Sequence, residues 1–229
     1  MRGTLGLLLG FALMSVATTL GAHAEGAAAP IHVATYVEVA AVSAKNAAKL
    51  LRQYRDASRG ESGNMRAEVA QEVGRPNRFV VLEVWKDQGA LDAHGKSAGT
   101  TAFRDQLKAI ANAPYDERVH NAFNVGSNDA VAKRAILVVS HVDVPPPKKD
   151  DVIAALNPLA DASRKSGGNA RFEVVQQTSR PNHFTVVEAW KDQKSYDAAR
   201  VDGSQRQFRE KLGPMLGALY DERLYRPVD

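Results

Sequence analysis

The 229-residue chain has no cysteine, which excludes disulfides, a thiolate nucleophile and any zinc–cysteine centre. It has two tryptophans and is only 7% aromatic, so its few large rings mark positions worth following. Its longest apolar run, Leu5 to about Val16, is shorter than the roughly 20 residues a membrane span needs. No strand–GxGxxG–helix unit and no G-x-S-x-G elbow is present, so dinucleotide-binding and α/β-hydrolase chemistry have no anchor. The histidines and carboxylates lack metal-ligand spacing, and no metal site is expected. The formal net charge of +4 is scattered rather than clustered with aromatics, which argues against a nucleic-acid partner.

What the N-terminus does have is one positive charge (Arg2), the apolar run, and small residues ending in Ala22-His23-Ala24. That order predicts a cleavable signal peptide over 1–24. Residues 25–30, "EGAAAP", read as a flexible lead-in. The expected address is periplasmic or secreted, with no membrane attachment after cleavage.

The strongest signal is an internal repeat. "RPNRFVVLEVWKDQ" begins at Arg75 and "RPNHFTVVEAWKDQ" at Arg180, an offset of 105 residues. The same offset pairs Gly63-Asn64 with Gly168-Asn169, Phe103-Arg104 with Phe208-Arg209, and Tyr115-Asp116-Glu117-Arg118 with Tyr220-Asp221-Glu222-Arg223. One gapless offset means a tandem duplication: a first domain over 31–125, a linker over 126–134 and a second domain over 135–229.

Each copy follows one pattern. "IHVATYVEVA" and "AILVVSHVDV" are β-branched runs and read as strands. A helix follows, with Ala48, Leu51, Tyr54 and Ala57 at apolar spacing in the first copy; Pro158 lies inside its counterpart. Two strands join through a turn at Gly74–Asn77. A helix interrupted near Gly95–Gly99 and a last strand, "YDERVHNAFNV", complete the unit. The order βαββαβ is that of a ferredoxin-like α+β domain with both helices on one sheet face. Strand 78–85 carries large apolar groups on both sides, so its open face must also be covered. The expected architecture is two such domains packed sheet to sheet as one pseudo-dimeric α+β barrel, a monomer with an internal pseudo-dimer that could also form a homodimer.

The segment "FVVLEVW" followed by "KDQGALDAH" resembles the antibiotic biosynthesis monooxygenase domain of the dimeric α+β barrel superfamily. The resemblance rests on Glu83, Trp85, Ala90-Leu91 and His94. The second copy keeps Glu188 and Trp190 but has Ser195-Tyr196 and Ala199. It implies oxygenation of a small quinol- or phenol-type aromatic without flavin or metal, hence no cofactor, at a site inside the barrel of the first repeat. Such chemistry needs a base, a dry aromatic-lined pocket and donors for the substrate anion. The expected catalytic residues are His94, as base, and Trp85. Trp190, Tyr36, His141 and Glu83 are expected to bind substrate, with Trp85 and Trp190 as flat walls and Tyr36 and His141 at equivalent positions of the two first strands.

Plainer roles compete with these. Both tryptophans could be core, Glu83 and Glu188 could each pair with an arginine or a backbone group, and His94 could cap the helix break. His32, His120 and His183 read as structural or exposed. A non-enzymatic binder of a small aromatic or lipidic ligand remains the alternative function. Haem binding is a weaker one, because the resemblance would then call for an asparagine that the first strands lack.

Overall fold

A computed structural model describes residues 29–126 and 131–229; the expected signal peptide and the middle of the linker lie outside them. The first repeat runs β1 (Ile31–Glu38), α1 (Ala44–Arg59), β2 (Asn64–Glu72), β3 (Arg78–Trp85), α2 (Gln88–Lys96), α3 (Ala98–Lys108) and β4 (Asp116–Asn124). The second runs β5 (Ile136–Asp143), α4 (Lys149–Lys165), β6 (Asn169–Gln177), β7 (His183–Trp190), α5 (Gln193–Arg200), α6 (Gly203–Leu212) and β8 (Asp221–Pro227). The repeat therefore delivers the same order of elements twice. Pro158 sits inside α4 without ending it.

The shared motifs build turns and caps. Asp87 accepts a hydrogen bond from the Ala90 amide at 2.7 Å, and Asp192 from the Ser195 amide at 2.8 Å. The "WKDQ" motif thus ends a strand on a buried tryptophan and caps the next helix within two residues. In "RPN", Asn77 donates to the Val39 carbonyl at 3.1 Å and Asn182 to the Val144 carbonyl at 2.6 Å, tying each hairpin to its neighbouring loop. Gly63 has φ +90°, and a Cβ there would stand 2.7 Å from the Ala90 Cβ; a positive φ and a close approach both favour glycine.

The eight strands close into one barrel in the order β1-β3-β2-β8-β5-β7-β6-β4. β4 pairs with β1 and with β6 of the other repeat, and β8 with β5 and β2. Each last strand therefore stitches its own half to the other and leaves no free edge. Alternation along the strands then sorts the side chains. Ala34, Tyr36, Val80 and Leu82 of the first half pack inside with Leu137, Val139, Val187 and Tyr225 of the second. Phe79, Val81 and Trp85 face the helices. The covering stripe of α1 is Ala47, Leu50, Leu51, Tyr54 and Ser58. Ala57 is exposed rather than buried, because the stripe runs through positions 54 and 58.

The barrel centre holds charge. Arg66 donates two hydrogen bonds to Glu173 at 2.9 and 2.7 Å, and Arg171 two to Glu68 at 3.2 and 2.6 Å. All four side chains are less than a tenth exposed. Burial alone would raise the Glu173 carboxyl, but Arg66 and Arg171 overcome it and hold the group low. These crossed pairs join opposite halves across the interior, beside a void of about 10 Å³ lined in part by His32 and His120.

Candidate active site

The structure divides the expected site residues among three places. Glu83, Trp85 and His94 meet in the first repeat, outside the barrel, between β3 and the helices. Trp190 occupies the equivalent layer of the second repeat. Tyr36 and His141 meet at one end of the barrel, with ring centroids 5.2 Å apart. β3 alternation turns Glu83 and Trp85 away from the barrel interior and toward the helices, so the expected residues do not converge on one site inside it. Period-two alternation separates two faces but does not say which one lies under helices.

Around His94 the first repeat builds a buried polar chain. α1 carries Tyr54 to the sheet, where its hydroxyl lies 2.7 Å from His94 Nε2 and 3.3 Å from Glu83 Oε2. On the other side of the ring, Nδ1 lies 3.0 Å from Glu61 Oε2. Thr100, at the start of α3, reaches the ring at 3.3 Å. The break between α2 and α3 makes this possible: Ser97 caps α3 by accepting from the Thr100 amide at 3.1 Å and holds Thr100 over the imidazole. Trp85 lies against the imidazole at 4.5 Å between centroids, and Phe103 stacks on Tyr54 at 4.0 Å.

The electrostatics follow from burial. Glu83 meets no arginine among the described residues; the Tyr54 hydroxyl stands against it at 3.3 Å. Burial, then the charge of Glu117, pushes its carboxyl up to about 7. One of its oxygens, Oε1, has no hydrogen-bond partner, and neither does the Trp85 indole nitrogen. Burial also raises the Tyr54 hydroxyl, with Glu83 second, so tyrosine stays protonated and has one proton to give. That proton lies between Glu83 Oε2 at 3.3 Å and His94 Nε2 at 2.7 Å, while Glu61, 29% exposed, stands 3.0 Å from Nδ1. A chain of hydrogen bonds then runs from a buried carboxyl through tyrosine and histidine to a carboxylate at the surface.

A cleft of about 160 Å³ between α1 and α3 reaches this chain, lined in part by Leu50, Tyr54, Ser58, Thr100 and Phe103. A buried cavity of about 150 Å³ takes one benzene ring, so the cleft is sized for a single aromatic ring. With both ring nitrogens bonded inside the protein, His94 is not presented as an axial haem ligand.

Tyr54, Glu61 and Thr100 are site residues that motif reading missed, although the repeat marks them. One offset of 105 away stand Leu159, Ser166 and Gln205, together with Ala199 for His94. Glu188 and Trp190 remain, but there the indole donates to Glu188 at 2.9 Å and closes the pair on itself. Burial pushes Glu188 up to about 7 as well. The carboxylate–tryptophan pair is thus common to both halves, and the polar chain belongs to the first.

Comparison with known proteins agrees with this architecture. A family model for antibiotic biosynthesis monooxygenases matches residues 30–106 and again 135–211, more than half of the chain. YcnE of Bacillus subtilis (strain 168), described as a candidate monooxygenase, is 39% identical over 59 residues, or 26% of this chain and 62% of that relative. The match therefore spans less than two-thirds of that relative's own length. A candidate monooxygenase from Fusobacterium nucleatum superposes with a TM-score of 0.79 at 16% identity, covering 88% of this chain and 94% of its own. One from Lactobacillus acidophilus gives 0.69 at 14%, covering 88% and 95%. An anthrone oxidase-like protein gives 0.69 at 13%, covering 87% and 92%. At these identities the solved structures speak for the fold alone. The family model, met once in each half of the closed barrel, makes the chain a tandem member of the antibiotic biosynthesis monooxygenase family.

Proposed function

We propose that the first repeat is a cofactor-independent monooxygenase for a small, single-ring quinol- or phenol-type substrate, acting in the α1/α3 cleft outside the barrel. The observation that carries this reading is the Glu83–Tyr54–His94–Glu61 chain beneath a ring-sized cleft, present in one half only. The substrate hydroxyl takes Tyr54's place at His94 Nε2, and its proton moves to that nitrogen while Glu61 faces the resulting imidazolium. The electron-rich anion passes one electron to dioxygen. Recombination forms a carbon–oxygen bond, and the hydroperoxide loses water to leave a carbonyl. The substrate loses two hydrogens, one from the ring carbon and one from its hydroxyl, and the ring carbon gains one oxygen atom; the second oxygen leaves as water. Trp85, Phe103 and Leu50 keep bulk water from the anion, and Thr100 and Tyr54 are the donors that face it.

Support for the substrate class is its fit to the cleft volume and to the family. The test is mass spectrometry of product formed under ¹⁸O₂ with chelator present: one labelled oxygen per product supports the reading, and label only from water refutes it. A second reading, a non-enzymatic binder of the same kind of ring, is favoured by one observation: both His94 nitrogens are already hydrogen-bonded and must be released before either can act as a base. Ring binding without oxygen consumption would select it.

A further inference from the structure

Tyr36 and His141 stand apart from the His94 site, at one end of the barrel, and that end holds a cavity of its own. Its volume is about 530 Å³, within the range of small-molecule sites, which also occur in barrel mouths. Both repeats wall it: Tyr36, Glu72, Arg78 and Asp116 come from the first, Arg223 and Tyr225 from β8.

The cationic side chains here are already committed. Arg78 pairs with Glu38 at 3.0 Å, Arg118 with Asp116 at 2.7 Å, and Arg223 with Asp221 at 2.6 Å. Arg118 and Arg223 also lie over the Tyr36 ring at 5.0 and 5.4 Å. Two polar groups are not committed. Glu72 faces the exposed Arg75 with one oxygen at 3.6 Å, while its Oε2 is buried without a hydrogen-bond partner and the side chain is only 10% exposed. The Tyr36 hydroxyl is likewise buried without a partner, in a residue 8% exposed. Leaving such groups unmet is costly, and both belong to walls of the same cavity.

The repeat shows that this is a departure from symmetry. The counterpart of Glu72 is Gln177, and that of Tyr36 is His141. Burial first, then Arg118, holds His141 down to about 4, so it adds no positive charge to the mouth at neutral pH. A bare metal ion is a poor match, since no group of three or more histidine, cysteine or carboxylate side chains converges among the described residues. An N–H donor bearing positive charge answers both orphan groups and suits a mouth walled by tyrosine rings.

We propose that the barrel mouth is a binding site for a small organic cation with a primary ammonium group, which donates to Glu72 Oε2 and to the Tyr36 hydroxyl. This site is separate from the α1/α3 cleft and does not depend on the oxygenase reading.

Calorimetric titration of the full chain with tyramine, and with the neutral analogue 4-hydroxyphenethyl alcohol, tests it. Tyramine is expected to bind at least tenfold more tightly than the alcohol. Glu72→Gln, which copies Gln177, is expected to weaken tyramine at least tenfold, and Tyr36→Phe severalfold. Equal affinity for amine and alcohol, no binding by folded protein, or undiminished affinity in both Glu72→Gln and Tyr36→Phe overturns the proposal. Loss of binding in His94→Ala with retention in Glu72→Gln also overturns it, by moving the amine to the other cleft.

Discussion

Tyr54 Oη lies 2.7 Å from His94 Nε2, and the positions 105 residues further on hold Leu159 and Ala199. Both members of the pair are present in one half and both are absent in the other. With Glu61 facing Ser166 and Thr100 facing Gln205 at the same offset, four polar positions change together. A histidine alone at position 199 would meet Leu159 where His94 meets the Tyr54 hydroxyl.

That reasoning predicts the outcome of restoring one residue. Ala199→His places an imidazole where a leucine replaces its tyrosine partner, and should destabilise the protein by about 1–3 kcal/mol. It should add no oxygen consumption. Urea denaturation and an oxygen electrode check the two parts, and a stable, active variant would refute the argument.

The crossed ion pairs in the barrel make a second prediction. Arg171→Met takes from the buried Glu68 carboxylate its two hydrogen bonds and leaves it Arg66 Nε at 3.8 Å; it should cost roughly 3–5 kcal/mol, the usual penalty for removing one partner of a buried pair. Removing Glu68 as well, as Arg171→Met with Glu68→Leu, should recover more than half of that loss, because apolar replacements of similar volume are often neutral. Equal stability of the single variant and the parent would show that the pair is dispensable.

A third prediction concerns pH. The folded-state carboxyl of Glu83 is raised to about 7 from an ordinary 4.5, so the native state holds its proton more tightly than the unfolded chain. Its contribution is full below pH 4.5 and is lost as pH rises through about 7, by at most roughly 3 kcal/mol. His120 and His141, both held down to about 4 by burial, act in the opposite sense: their contribution is present above pH 6.5 and lost as pH falls toward 4. The difference in unfolding free energy between wild type and Glu83→Gln isolates the carboxyl. That difference should fall as pH rises from 5 to 8, and Glu188→Gln should behave alike. A flat difference would contradict the assignment.

Much of the fold was legible because the chain states it twice. The offset from Arg75 to Arg180, the strand alternation and the turn at Gly74 together lead to two βαββαβ units closed on each other. The pairing of β4 with β6 and of β8 with β2 was not legible, since nothing in a strand's pattern names a partner in another repeat. The site was legible only in part. The pattern in one copy gave Glu83, Trp85 and His94 but set them on the wrong side of the sheet. Tyr54 passed as one more apolar position on a helix, because a buried tyrosine and a buried leucine keep the same period. Reading the differences between the copies, rather than their identities, exposes Tyr54, Glu61 and Thr100 beside His94. Tyr36 and His141 are equivalent in sequence and neighbours in space, yet they belong to the barrel mouth.

The measurement that bears most directly on the first-repeat site is oxygen uptake with single-ring quinols, chelator present, for wild type, His94→Ala and Trp190→Phe. A general base is worth about 10²–10⁴ in rate. The account predicts that uptake above the autoxidation blank falls at least a hundredfold in His94→Ala and less than threefold in Trp190→Phe, with all three proteins folded. Uptake that survives His94→Ala, or that collapses in Trp190→Phe alone, would contradict it.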